Sequence, residues 1–192
     1  IAVIAVLIFH AFPMALPSGY IGVDIFFVIS GYLISQNIFQ RVDVGDFSIG
    51  EFYGRRVRRI FPSLLIVLTF TIVAGWFILM PSDFMRLGKH IFAGSYFLSN
   101  FSLLGESGYF DASADTKILI HLWSLSIEEQ FYVFWPILIL IFHRFKLGYE
   151  KLIILVGMSS FAYGGWLISA DATVAFLHPL SRAWEFLVGA AV

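Results

Sequence analysis

Repeated apolar runs close to bilayer thickness constrain this chain more than any other feature. A helix needs about 20 consecutive apolar residues to cross the hydrocarbon core. Residues 20–39, 60–80, 127–142, 152–169 and 175–192 approach that length, and residues 1–12 read as the tail of a further span closed by Pro13 and Pro17. Only 13% of residues are charged, against about a quarter in a soluble domain. That leaves too little polar surface to clothe a soluble particle, and the mean hydropathy of +0.88 agrees. The expected fold is all-α: a polytopic transmembrane helix bundle of about six spans. Apolar runs at both ends suggest a chain cut at its start and its finish, so residues 1–192 are read as one partial transmembrane domain.

Lys/Arg asymmetry sets the expected topology. Residues 40–59 form a polar segment with Arg41, Arg55, Arg56, Arg58 and Arg59, and residues 143–151 hold Arg144, Lys146 and Lys151. Both belong on the cytoplasmic side by this rule. An even number of crossings must then separate them. Residues 91–104, only 14 long, are therefore expected to form a re-entrant or buried helix within a long extracytoplasmic segment, residues 81–126. The N-terminus is then cytoplasmic. A net charge of -1 offers no bulk attraction to nucleic acid. With no cysteine there is no disulfide, thiolate chemistry or Cys-based metal site. No HExxH-type spacing is present, so no metal site is expected.

Ionisable groups in or beside apolar runs are costly and point to function. His10 ends the first run, and an imidazole can accept and return a proton near neutral pH; it can equally bond a neighbouring helix. Asp24 begins the second run, where it can orient His10 or cap its own helix. Arg55, Arg56, Arg58 and Arg59 form forks suited to phosphates, with Arg55 and Arg59 on one helical face, although topology signals and anionic-lipid contacts look the same. Residues 121–132 crowd polar and aromatic groups at the lip of a span. Ser126 and Glu129 fit a capping box, which leaves Glu128 for chemistry or an ion pair, on one face with Tyr132. Arg182 and Glu185, at i,i+3, can pair with each other or contact substrate. His90, His143 and His178 read as interfacial or loop residues.

Five stretches, in order, resemble the membrane acyltransferase family 3, the bacterial O-acyltransferases. They are residues 2–10, ending in His10; residues 19–34, with Gly22-Val23-Asp24-Ile25-Phe26-Phe27; residues 52–62, with Arg55-Arg56-Val57-Arg58-Arg59; residues 121–132; and Arg182-Ala183-Trp184-Glu185. The second and fourth are highly specific. The resemblance implies transfer of an acyl group, usually acetyl, from cytoplasmic acyl-CoA to a hydroxyl of an extracytoplasmic carbohydrate such as O-antigen or peptidoglycan. It implies a bacterial inner-membrane location, and no permanently bound cofactor. It aligns His10 with the histidine of an Arg-x10-His motif whose arginine would precede residue 1, so the fragment alone is expected to be inactive.

The resulting expectation has His10 as general base, helped by Asp24. Arg55, Arg56, Arg58 and Arg59 lie near the acyl-CoA phosphates. Glu128, Trp123, Ser124 and Tyr132 shape the acceptor side, and Arg182 with Glu185 completes a polar centre. Two rivals use the same residues: a membrane carrier that moves the acyl group or glycan without chemistry, and a non-catalytic module that recruits partners.

Overall fold

The computed structural model describes residues 1–12, 14–106 and 117–192; Pro13 and most of the polar stretch 105–117 lie outside the described residues. Among the described residues all regular structure is helical: α1 (Ala2–Ala11), α2 (Ile21–Val44), α3 (Ile49–Ile78), α4 (Pro81–Ser95), α5 (Ser99–Leu104), α6 (Leu122–Arg144), α7 (Tyr149–Ala170), α8 (Ala172–Leu177) and α9 (Pro179–Ala190). Four of them, α2, α3, α6 and α7, are long and apolar enough to cross a membrane. The expected count of about six spans is not confirmed among the described residues. α1 has only 10 residues, and the 175–192 run is split at His178, whose extended backbone ends α8 and caps α9. The chain divides into two compact units, residues 1–46 with 131–192, and residues 47–130. No linker composition announces this division, because one boundary falls inside α6.

In the first unit α9 packs on both α2 and α7. α2 and α9 touch backbone to backbone. A Cβ added at Gly31 would stand 1.9 Å from the Phe186 carbonyl oxygen, and one at Gly189 would stand 1.9 Å from that of Val28. Glycine is what permits this approach in an apolar bundle, where close van der Waals packing drives helix association. Around it Phe186 stacks between Phe27 and Phe131, with ring centroids 4.5 and 4.4 Å apart. The buried Trp135 indole donates to the Ser35 hydroxyl at 2.7 Å. At the far end of α2, the Tyr149 hydroxyl donates to Asp43 at 2.7 Å. It therefore accepts from His143 Nδ1 at 3.0 Å, tying the ends of α2, α6 and α7 together.

The polar segment 40–59 is not a loop. α2 continues to Val44 and stops at Gly45, whose φ of 78° gives a left-handed cap to the Arg41 and Val42 carbonyls. α3 starts at Ile49 behind a Ser48 cap that accepts the Glu51 N–H. The four arginines thus ride on the first three turns of a 30-residue helix, about 45 Å long. Hydropathy misplaces the boundary because arginine is a good helix former whatever its polarity.

In the second unit α4 turns back along α3. Leu87 fills the space above Gly75, Trp76 meets Phe84 edge-on, and Leu64, Leu68, Leu87 and Leu119 form the core. The 91–104 run is two helices rather than one, broken at residues 96–98, where Phe97 has φ 55°. The Phe97 ring lies 5.7 Å from that of Phe61, so the break sits seventeen residues, or about 25 Å, back along α3 from Ile78. α4 therefore runs antiparallel beside α3 and meets α5 at this break. Two long helices, α3 and α6, then separate the two basic segments.

Candidate functional site

α1 and α2 pack with opposite directions: Gly19 faces Ala5 and Phe9, while Gly22 faces Ala2 and Val6. This register carries His10 toward Tyr20 and puts Asp24, deeper along α2, beyond the Ala2 end. Phe9 contacts both rings, that of His10 at 5.2 Å and that of Tyr20 at 5.8 Å. His10 is exposed, and its Nδ1 lies 2.7 Å from the Val6 carbonyl oxygen. A carbonyl only accepts, so Nδ1 carries a proton, and in the neutral form of the ring the lone pair is on Nε2. Such a tautomer can serve as a general base.

Asp24 neither orients His10 nor caps α2. Its Oδ1 receives the Arg182 guanidinium at 2.5 Å, and Arg182 also reaches Glu185 Oε1 at 3.1 Å. The helix contact through Gly31 and Gly189 delivers Arg182 to α2. Its charge is further covered by the faces of Phe27 and Phe176, at 5.8 and 5.1 Å. Glu185 has only 3% of its side chain exposed, and its Oε2 accepts no hydrogen bond among the described residues. One cation here serves two carboxylates, a polar centre with one negative charge in surplus when both acids are ionised.

In the second unit the arginines separate. Arg55 pairs with Glu51 at 3.2 Å, Arg58 Nε donates to the Gly54 carbonyl at 3.1 Å, and Arg56 lies over the Phe52 ring at 5.8 Å. Arg56 also attracts Glu129 electrostatically. The expected capping box is absent. α6 starts at Leu122, one turn earlier, so Ser126 is interior, donating to the Leu122 carbonyl at 2.9 Å and accepting the Ser99 N–H at 3.2 Å. Glu129 is consequently free of capping duty. Its Oε1 is buried without a hydrogen bond among the described residues. Carrying the helix back to Leu122 is the signal that finds it, since Leu122, Leu125 and Glu129 then share one face. Gln130 locks this part of α6 to the break between α4 and α5, donating to the Phe97 carbonyl at 2.8 Å and to Asn100 Oδ1 at 2.9 Å. Trp123 is buried, Ser124 donates to the His121 carbonyl at 3.3 Å, and Glu128 is half-buried. Tyr132 is buried in the other unit, so the 121–132 motif is divided between the two.

A cluster that the sequence reading missed lies between α4 and the segment before α6. Glu106 takes Lys89 on Oε1 at 2.9 Å, and His90 and Lys117 on Oε2 at 3.3 and 3.4 Å. Burial depresses the His90 pKa; Glu106 pulls it back up, while Lys117, Lys89 and Arg86 add to the lowering. Burial pushes the Glu106 carboxyl up, but the Lys89 hydrogen bond and the neighbouring charges hold it below its ordinary value. Lys89, His90 and Lys117 lie 17, 16 and 11 residues from Glu106, which gives no local periodicity from which this cluster could be read.

Comparison with known proteins accords with the motif order. The family model described as an acyltransferase domain matches residues 1–192. An uncharacterized protein of Haemophilus influenzae is 42% identical over 124 residues, covering 64% of this chain and 51% of its own length. A Staphylococcus aureus (strain COL) protein with the provisional name O-acetyltransferase is 33% identical over 98% of this chain and 32% of its own length. The O-acetyltransferase OatA of Staphylococcus aureus (strain NCTC 8325 / PS 47) is 38% identical over 76% of this chain and 24% of its own length. The chain thus spans about half, a third and a quarter of these relatives. No solved structure matches it. With the family model covering every residue, this chain belongs to the acyltransferase-domain family.

Proposed function

We propose that the protein containing this chain is an O-acyltransferase of the bacterial inner membrane. It moves an acyl group, acetyl in the simplest case, from cytoplasmic acyl-CoA to a hydroxyl of an extracytoplasmic carbohydrate, with its N-terminus inside. The names of its relatives support the reaction class, and the observation that carries the residue assignment is the His10 tautomer. With Nδ1–H tied to Val6, Nε2 takes the acceptor's proton as the hydroxyl oxygen attacks the thioester carbonyl. The new C–O bond forms, the C–S bond breaks, and the proton is returned to the departing thiolate sulfur. Arg55, Arg56 and Arg58 offer the donor's phosphates a cationic face, with Glu129 holding Arg56 in place. Trp123, Ser124, Glu128 and Tyr132 shape the acceptor's surroundings, and Asp24, Arg182 and Glu185 act as a polar brace, not as proton-transfer groups.

The test is His10→Ala in the full-length protein, expressed in cells whose surface glycans are weighed by mass spectrometry. Loss of O-acyl groups at an unchanged membrane level of protein is expected. Undiminished acylation sinks the assignment. Purified protein that moves labelled acyl groups across vesicles without transferring them favours a carrier.

A further inference from the structure

The helical row that carries Arg55 and Arg59 does not end with them. In steps of four residues it runs on through Ser63 to Val67, along one face of α3. Beyond the arginines this row becomes one side of a groove of about 360 Å³ in the second unit. Arg59 stands at one end, Ser63, Leu64 and Val67 of α3 form one wall, and Leu122 and Leu125 of α6 form the other. From Arg59 to Val67 the groove follows α3 for about 12 Å. Its floor is firm, because Leu64 belongs to the core with Leu68, Leu87 and Leu119, and Leu122 and Leu125 pack against that core. Ser63 supplies an uncharged polar group about 6 Å along the axis from Arg59. Its hydroxyl donates to the Ile60 carbonyl at 3.0 Å, so its oxygen keeps lone pairs for an outside N–H. A cation, then a hydrogen-bond acceptor one turn on, then apolar walls: this order suits a ligand with an anionic head and a thin amide-bearing tail.

We propose that this groove holds the pantetheine arm of the donor, with a phosphate of the nucleotide end on Arg59, an amide N–H of the arm on the Ser63 oxygen, and its methyl and methylene groups along Leu64, Val67, Leu122 and Leu125. The proposal rests on the acyl-CoA reading above and adds the residues that receive the arm. Length agrees. About twelve bonds join phosphate to sulfur, the reach of about four extended residues or about 14 Å, so the arm fills the groove and leaves the sulfur just past Val67. Arg59 then serves the donor together with Arg55, Arg56 and Arg58.

Calorimetric titration of the purified full-length protein tests it, with CoA and adenosine 3′,5′-bisphosphate, the nucleotide end of CoA, as probes. CoA is expected to bind more tightly than the nucleotide, since burial of the arm's two methyl groups alone is worth about tenfold. Ser63→Phe, which fills the groove and keeps every arginine, should remove this preference and leave the affinity for the nucleotide unchanged. Retained nucleotide binding also shows that the variant is folded. Val67→Phe fills the groove one turn further on and should act in the same way. Arg59→Gln should weaken both ligands alike, about tenfold for a charge-assisted contact. Equal affinity of the two ligands for the unmodified protein overturns the proposal, and so does a preference for CoA that survives both fillings. Loss of nucleotide binding in both filled variants overturns it too, because arm and nucleotide would not then have separate places. If neither ligand binds the unmodified protein, the acyl-CoA reading falls and the groove assignment falls with it.

Discussion

Arg182 shows how one residue can fix the character of a buried centre. It is the shared partner of Asp24 and Glu185, and Glu185 is almost wholly enclosed. Removing the cation strands a buried carboxylate, which typically costs about 3–5 kcal/mol. Arg182→Met should therefore lower the melting temperature of the purified protein sharply. Glu185→Gln removes the surplus negative charge and keeps the Asp24–Arg182 pair, so its melting temperature should stay level or rise; a fall as large as that of Arg182→Met would show that Glu185 is the essential partner. The i,i+3 half of this centre is legible in the sequence. The Asp24 half is not, because 158 residues separate the partners and only helix packing joins them.

The His90 cluster makes a second residue-scale prediction, in pH. Folding holds the His90 pKa below its ordinary 6.5, so the unfolded chain binds that proton first and stability falls as pH drops through this range. Glu106, held below its ordinary 4.5, adds stability above that value and loses it as pH falls through the lowered pKa. Both effects run the same way, so acid destabilises the contact between α4 and the segment leading into α6. Melting temperature against pH should decline below about pH 6.5, and His90→Gln should flatten the upper part of that decline. A curve unchanged by His90→Gln assigns the sensitivity to other groups.

At the scale of elements, hydropathy located the four long helices and failed at their edges for identifiable reasons. α3 extends eleven residues into sequence that looks polar, because a helix projecting past the hydrocarbon can carry arginines on its first turns. α6 begins at Leu122, before its most apolar stretch, because Ser126 and Gln130 find partners in Ser99, Phe97 and Asn100. Charge patterning required a re-entrant piece between them, but the break at Phe97 carries no proline to announce it. Close packing is the other element-scale property, and it is tighter at Gly31 and Gly189 than at Gly19 and Gly22. Gly31→Ala or Gly189→Ala places a methyl group against a carbonyl of the facing helix. Each should cost about 1–3 kcal/mol or more, since neither backbone can yield as a side chain does. Gly157→Ala, whose nearest neighbour is the Leu187 side chain at 3.7 Å, is the matched control and should be near neutral in the same thermal assay.

For the whole molecule, family membership was legible from motif order, whereas the division into two units was not, since a helix passing from one to the other keeps an uninterrupted apolar pattern. Topology is the property on which the proposed direction of acyl transfer depends. α3 and α6 are the two long helices between the basic segments, and α4 and α5, with 15 and 6 residues, are too short to add a crossing. The proposed topology puts positions before α3 and after α6 on one side of the membrane and the α3–α4 turn on the other. The chain has no cysteine of its own, which makes single substitutions clean reporters. In intact cells an impermeant maleimide should label Ser82→Cys and spare Asp46→Cys and Lys146→Cys, which should react once the membrane is opened. Labelling of Asp46→Cys but not Lys146→Cys from outside would mean that the segment between α3 and α6 crosses a third time, and the re-entrant reading would fall. Labelling of both from outside, with Ser82→Cys protected, would keep the fold and reverse the direction of transfer, placing the arginine face of α3 on the side where no acyl-CoA is made.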